Sequence, residues 1–157
     1  PMLLAVDLGL RTGLALYGRD GRLLRYRSQN LGTRARLRKA AGSVLKDHRD
    51  VERLVLEGGG DIAEIWKRAG ERAGLDVRIV DAGTWRRRLL LAREQRRGAD
   101  AKQAADGLAR AIIEWSEAPR PKGALRHDAA EAVAVGLWGV LDAGWLADVP
   151  EAVARRS

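Results

Sequence analysis

Leu3-Leu4-Ala5-Val6-Asp7-Leu8-Gly9 is the stretch from which the rest of the chain can be read. A short, nearly continuous apolar run closed by glycine is the pattern of a strand buried on both faces. Asp7 stands where that pattern wants an apolar residue. Working outward, Thr12 to Tyr17 is a second apolar run, and Gly18-Arg19-Asp20-Gly21 supplies the turn residues after it. Arg22 to Ser28 alternates loosely, so the first 28 residues read as a three-stranded meander. Helical spacing follows from Thr33 to about His48, with Leu37, Ala40, Ala41, Val44 and Leu45 on one side and Arg34, Arg38 and Lys39 off it.

Val51 to Glu57 is a second strongly apolar strand, again closed by an acid, and Gly58-Gly59-Gly60 follows. These glycines lack the Lys-Ser/Thr of a P-loop and the spacing of a dinucleotide motif, so they read as backbone freedom. Asp61 opens a helix, with Glu64 placed to complete an approximate capping box and Gly74 as its stop. Val77 to Val80 is the last strand. A basic segment, Thr84 to Arg97, precedes helices from about Asp100 to Trp115 and from about His127 to Leu141, with a loop at Pro119 and Pro121 between them. The order β-β-β-α-β-α-β-α-α predicts an α/β fold, a mixed sheet whose later strands are joined by right-handed helical crossovers. Residues 2–145 are expected to form one domain and 146–157 a C-terminal tail.

The composition narrows the chemistry. The chain has 157 residues, 46% hydrophobic and 32% charged, which suits one domain with its own core rather than a disordered tail. With no Cys there is no disulfide framework, thiolate zinc site or cysteine nucleophile, and two His cannot build a histidine cage. Any metal would be a hard cation held by carboxylate oxygen. The net charge is +8, and 24 of the 29 basic residues are Arg. Arg suits planar, bidentate phosphate recognition, so a polyanionic ligand is one reading and genomic base composition is the other. No segment resembles a signal peptide or membrane span, which makes a cytoplasmic protein the expectation.

The informative acids sit at the ends of buried elements. Asp7 and Glu57 close two apolar strands; if these are parallel neighbours, both emerge at one sheet edge, where ligands of open α/β sheets bind. Asp128 and Glu131 are spaced i,i+3 in the first turn of a helix that is otherwise small and apolar. Each alone has a plain explanation, as a turn or cap residue or as a charge favoured by the helix dipole. Together, four carboxylates would repel one another and call for cations between them. Mg²⁺ is the natural candidate, with Mn²⁺ as a substitute. Two such ions about 3.5–4 Å apart can activate a water and stabilise the leaving oxygen of an in-line displacement at phosphorus.

Three stretches carry a resemblance: Leu4-Ala5-Val6-Asp7-Leu8-Gly9 with Thr12-Gly13, then Leu54-Val55-Leu56-Glu57, then His127-Asp128-Ala129-Ala130-Glu131-Ala132. In this order they resemble the RuvC-type Holliday junction resolvases of the RNase H-like nuclease superfamily. Gly98-Ala99-Asp100-Ala101-Lys102-Gln103 resembles that family's basic segment before the penultimate helix. The resemblance implies an RNase H-like, five-stranded mixed sheet with helices on both faces, and metal-dependent hydrolysis of phosphodiesters in branched DNA. Carried across, Asp7, Glu57, Asp128 and Glu131 would be the metal ligands and Lys102 a phosphate contact. Glu131 stands where the family has Asp. His127 would either touch the scissile phosphate or a metal-bound water, or face solvent at the helix start. One departure concerns assembly: only about nineteen residues, Gly58 to Asp76, follow Glu57 before the next strand, shorter than the dimer-forming helical region expected of resolvases. A homodimer is therefore possible rather than implied, although a two-fold substrate is matched by a two-fold protein.

The Thr84–Arg97 segment holds six Arg against one Glu. Arg86, Arg87 and Arg88 read as contacts to a nucleic-acid backbone, with Arg11 as a weaker phosphate candidate. Trp85 would either stack on a base or fill the core, and the cluster Arg34, Arg36, Arg38 and Lys39 reads as a solvated helix face. Two alternatives to the branched-DNA reading stand beside it: a related nuclease acting on RNA, such as a ribosomal RNA precursor, and a nucleic-acid-binding module without catalysis.

Overall fold

The computed structural model describes residues 1–156. The three apolar or alternating runs form β1 (Met2–Asp7), β2 (Arg11–Gly18) and β3 (Leu23–Asn30), followed by α1 (Arg34–Asp47), β4 (Val51–Glu57), α2 (Gly60–Arg72) and β5 (Asp76–Val80). Four helices complete the chain: α3 (Ala82–Leu89), α4 (Gly98–Ser116), α5 (His127–Asp142) and α6 (Glu151–Ala154), with a 3₁₀ turn at Ala92–Gln95 between α3 and α4. The five strands form one sheet in the order β3-β2-β1-β4-β5. β1, β2 and β3 run antiparallel as the meander predicts, whereas β4 and β5 are parallel to their neighbours through the helical crossovers.

Strand alternation divides the core into two layers. Leu3, Ala5, Tyr17 and Val55 pack with α3, α4, α5 and α6 on one face. Leu4, Val6, Leu54 and Leu56 pack with α1 and α2 on the other, around Leu37, Val44 and Trp66. Helices thus cover both faces. The amphipathic side anticipated for α1 is the one it buries, through Leu37, Ala41, Val44 and Leu45.

Three local features differ from the sequence reading. The capping box at Asp61 and Glu64 does not form: the N-cap is Gly59, two residues before Asp61, and it offers no side chain. Asp61 instead pairs with Arg34, and Glu64 pairs with Arg68 at 3.0 Å. The basic segment contains a helix, α3, capped by Asp81 accepting from Thr84 N and anchored by Trp85 and Leu89. The stretch beyond residue 145, expected as a tail, returns to the body of the domain, where Val153 of α6 is fully buried. No helix among the described residues is long and apolar enough to cross a membrane.

Candidate active site

Strand parity starts the site. The parallel register sets Asp7 of β1 directly opposite Glu57 of β4, so the condition that the two strands be neighbours is met. Leu3 and Ala5 precede Asp7 on the face covered by α5, and Val55 precedes Glu57 there, so both acids project toward that helix. On its other side Asp7 is opposite Gly13 of β2. A Cβ at Gly13 would lie 1.9 Å from the carbonyl oxygen of Asp128. Only a residue without a side chain lets the first turn of α5 rest on the β2 backbone, and that contact carries Asp128 and Glu131 to the sheet acids. Gly136 does the same further along α5, where a Cβ would strike the Tyr17 ring at 2.1 Å.

Both α5 acids are nearly enclosed, Asp128 at 8% and Glu131 at 4% exposure. Ser28 Oγ, on β3, donates to Asp128 Oδ2 at 2.6 Å. Arg86 Nη2 donates to Glu131 Oε1 at 3.3 Å, and His127 Nε2 lies 3.2 Å from the same oxygen. Glu131 Oε2 is buried without a partner. Burial, then a hydrogen bond with Glu57 and the charges of Glu57, Glu131 and Asp128, push the Asp7 carboxyl up to about 9. At neutral pH Asp7 therefore keeps a proton. Burial also raises Glu131, opposed by His127 and Arg86.

Among the described residues, no three acidic or histidine side chains converge into a ready-made metal cage. Two of the acids come from the sheet and two from α5, and Asp7 feels the charges of the other three. Their chemistry nevertheless fits a hard divalent cation. The donors are all oxygen, the Asp7 carboxyl is pushed up by burial first and by its acidic neighbours second, and one buried carboxylate oxygen has no donor. Asp7, Glu57, Asp128 and Glu131 could hold such ions.

No protein-family model matches the chain, and no curated protein matches it in sequence. Among solved structures, T. thermophilus RuvC in complex with a Holliday junction substrate is similar over 91% of this chain and 95% of that one, with a TM-score of 0.63 and 19% identity. The yeast mitochondrial Holliday junction resolvase Ydc2 is similar over 91% of this chain and 81% of its own, with a TM-score of 0.58 and 9% identity. The fold is the RuvC-type, RNase H-like fold.

Around the acids of this RuvC-type fold, the remaining residues singled out in the sequence separate by environment. Arg86 turns inward to Glu131, whereas Arg87 and Arg88 stand exposed on α3. Arg11 is exposed at the start of β2, and Lys102 is exposed near the start of α4. Trp85 is fully buried, so it fills the core. Its ring also lies beneath Arg86, whose guanidinium carbon is 5.4 Å from the ring centroid. Gly58 adopts φ +130° beside the Glu57 strand end, a conformation that favours glycine. Sequence reasoning missed Ser28. Its signal was the alternation of β3: Tyr26, two residues earlier, packs against the layer that contains α5, so Ser28 points the same way.

Proposed function

We propose that the chain is a divalent-cation-dependent endonuclease that hydrolyses phosphodiester bonds of branched DNA in the manner of a Holliday junction resolvase. The observation that carries this reading is the gathering of Asp7, Glu57, Asp128 and Glu131 beside the Arg-bearing helix α3. The RuvC-type fold supports it, because two of the solved structures similar to this chain are a RuvC in complex with a Holliday junction substrate and a mitochondrial Holliday junction resolvase.

Asp7, Glu57, Asp128 and Glu131 would hold Mg²⁺, with Mn²⁺ as a substitute. Bound there, the ions would polarise the phosphate and supply a nucleophilic water at neutral pH. The protein groups have separate tasks. Ser28 fixes the Asp128 carboxylate by occupying Oδ2. Arg86 fixes Glu131 through Oε1 and leaves Oε2 without a partner, free to meet a cation. His127 is half exposed with Nε2 3.2 Å from Glu131 Oε1, and it would serve as a donor to a substrate oxygen that needs a proton as it leaves. Arg87, Arg88, Arg11 and Lys102 are exposed cations suited to the phosphate backbone, which they would position without reading sequence. Symmetric resolution of a four-way junction needs two such sites, and hence two copies of the chain on one substrate.

The test is cleavage of four-way junction, flap, linear duplex and RNA–DNA hybrid substrates side by side, with Mg²⁺, Mn²⁺ or EDTA. Paired nicks at the junction, absent in EDTA, are expected. Preferential cutting of the hybrid would overturn the substrate, and no cutting of any substrate with either metal would overturn the enzyme.

A further inference from the structure

The connection between α3 and α4 carries an unusual juxtaposition. Leu89 and Leu90 are buried anchors, but Leu91 beside them is 53% exposed, more than the other exposed large apolar residues, Leu24 and Ile79. A solitary exposed leucine is ordinary on a protein surface. This one differs in how firmly its backbone is held. Leu91 N donates to Glu94 Oε1 at 2.7 Å, and Glu94 N donates back to Leu91 O at 2.9 Å. Gln95 Nε2 donates to Leu90 O at 3.0 Å.

A distant part of the chain then braces the turn. Arg156, just past α6, donates through Nη2 to Leu89 O at 3.0 Å and to Glu94 Oε1 at 3.2 Å, and through Nη1 to Val153 O at 3.1 Å. Its side chain is only 11% exposed. Val153 is sunk in the core, so the brace is tied to the body of the domain. A tip held this way gives up little freedom when it meets a ligand, which is the condition for an apolar side chain to act as a contact rather than as solvated surface.

The surroundings are cationic. Arg88, Arg93, Arg96 and Arg97 flank the tip with exposed cations; Arg97 is engaged by Asp100, while Arg88, Arg93 and Arg96 have no ion pair among the described residues. An apolar point among cations fits a polyanion that also presents an apolar face, and an unstacked base on a phosphate backbone is such a surface. Duplex interiors hide base faces, whereas branch points and kinks open them to apolar wedges such as Leu. Arg86, the residue bonded to Glu131, is five positions before Leu91, so the two Cα atoms lie within about 18 Å even for a fully extended chain. Resting on the branched-DNA reading above, we propose that Leu91 is a wedge that packs against unstacked bases at a branch point, held in position by the Glu94–Arg156 brace.

The test uses a four-way junction carrying 2-aminopurine beside the branch point, with binding followed in EDTA so that nothing is cut. The wild-type chain is expected to raise the fluorescence as it binds. Leu91→Ala is expected to abolish that rise and weaken junction binding roughly tenfold, while linear-duplex binding and the melting temperature stay unchanged. Leu24→Ala, an exposed leucine on β3, should change none of these. Arg156→Ala should reduce the fluorescence rise as Leu91→Ala does, and Arg156→Lys should restore part of it. An unaltered rise and an unaltered junction-to-duplex ratio in Leu91→Ala would overturn the wedge. So would a wild-type dimer in sedimentation that Leu91→Ala dissociates, since Leu91 would then be a contact between copies. Failure of the wild-type chain to bind any branched substrate would instead remove the reading on which the wedge rests, and the wedge with it.

Discussion

The two faces of the sheet are covered by helices in different ways. On the α1–α2 face, β1 and β4 contribute Leu4, Val6, Leu54 and Leu56, and the charges stay outside in exposed ion pairs such as Arg34–Asp61 and Arg68–Glu64. A groove of about 700 Å³ runs along this face, lined by Arg38, His48, Arg68 and Arg72 among others. On the α5 face the same two strands end in Asp7 and Glu57, two more carboxylates are buried above them, and an Arg is drawn inward to meet one of them. This groove and the buried carboxylates therefore lie on opposite sides. Burial of carboxylates in a low dielectric, with their mutual repulsion, is a strain that packing does not ask for. It is the ground for proposing the site on the α5 face, with the α1–α2 face as scaffold.

The contrast is broken most sharply at Asp7. Replacing it with Asn is expected to lower Mg²⁺-dependent cleavage by about a thousandfold or more, as loss of a metal-holding carboxylate does; unchanged cleavage would sink the mechanism. The same substitution should stabilise the metal-free protein, by on the order of 1 kcal/mol or about 2–4 °C in melting temperature. The sign follows from linkage: a carboxyl raised from 3.8 to about 9 contributes stability that is complete below about pH 4 and is lost as the pH rises through about 9. Thermal melts in EDTA across that range should show the wild-type chain weakening with pH and the Asn variant weakening less. On the scaffold face, Leu54→Ala should cost about 2–5 kcal/mol in chemical denaturation and leave cleavage per folded molecule unaltered. A large fall in that specific activity would mean that the faces are not separable. The smallest effect belongs to Arg34→Ala, which removes an exposed ion pair and should leave the melting curve where it was.

The α5 face was legible wherever an acid interrupted an apolar pattern. Asp7, Glu57 and the Asp128–Glu131 pair are visible because β1, β4 and α5 are buried on nearly all sides, so polar residues there stand out. Ser28 was not, because its partner lies 100 residues away, and the loose alternation of β3 gives its face without marking it as part of a site. Helix α3 was hidden for another reason: Arg86, Arg87 and Arg88 conceal a pattern whose buried positions are only Trp85 and Leu89. α6 is four residues long, too short to hold its shape without the core that receives Val153. At α2 the capping residues were present in sequence, but the neighbouring Arg34 and Arg68 claimed their side chains.

The contact between Gly13 and the carbonyl of Asp128 sets a gauge. The gap between the sheet carboxylates and the helix carboxylates is determined by two main chains touching, not by rotamers, so exchanging one acid for another alters reach without altering the span. Mg²⁺ tolerates little departure from its preferred oxygen distances, whereas larger cations accept looser shells. A rigid backbone spacer of this kind would discriminate between ions by size, and a single methyl group added at position 13 would reset the scale.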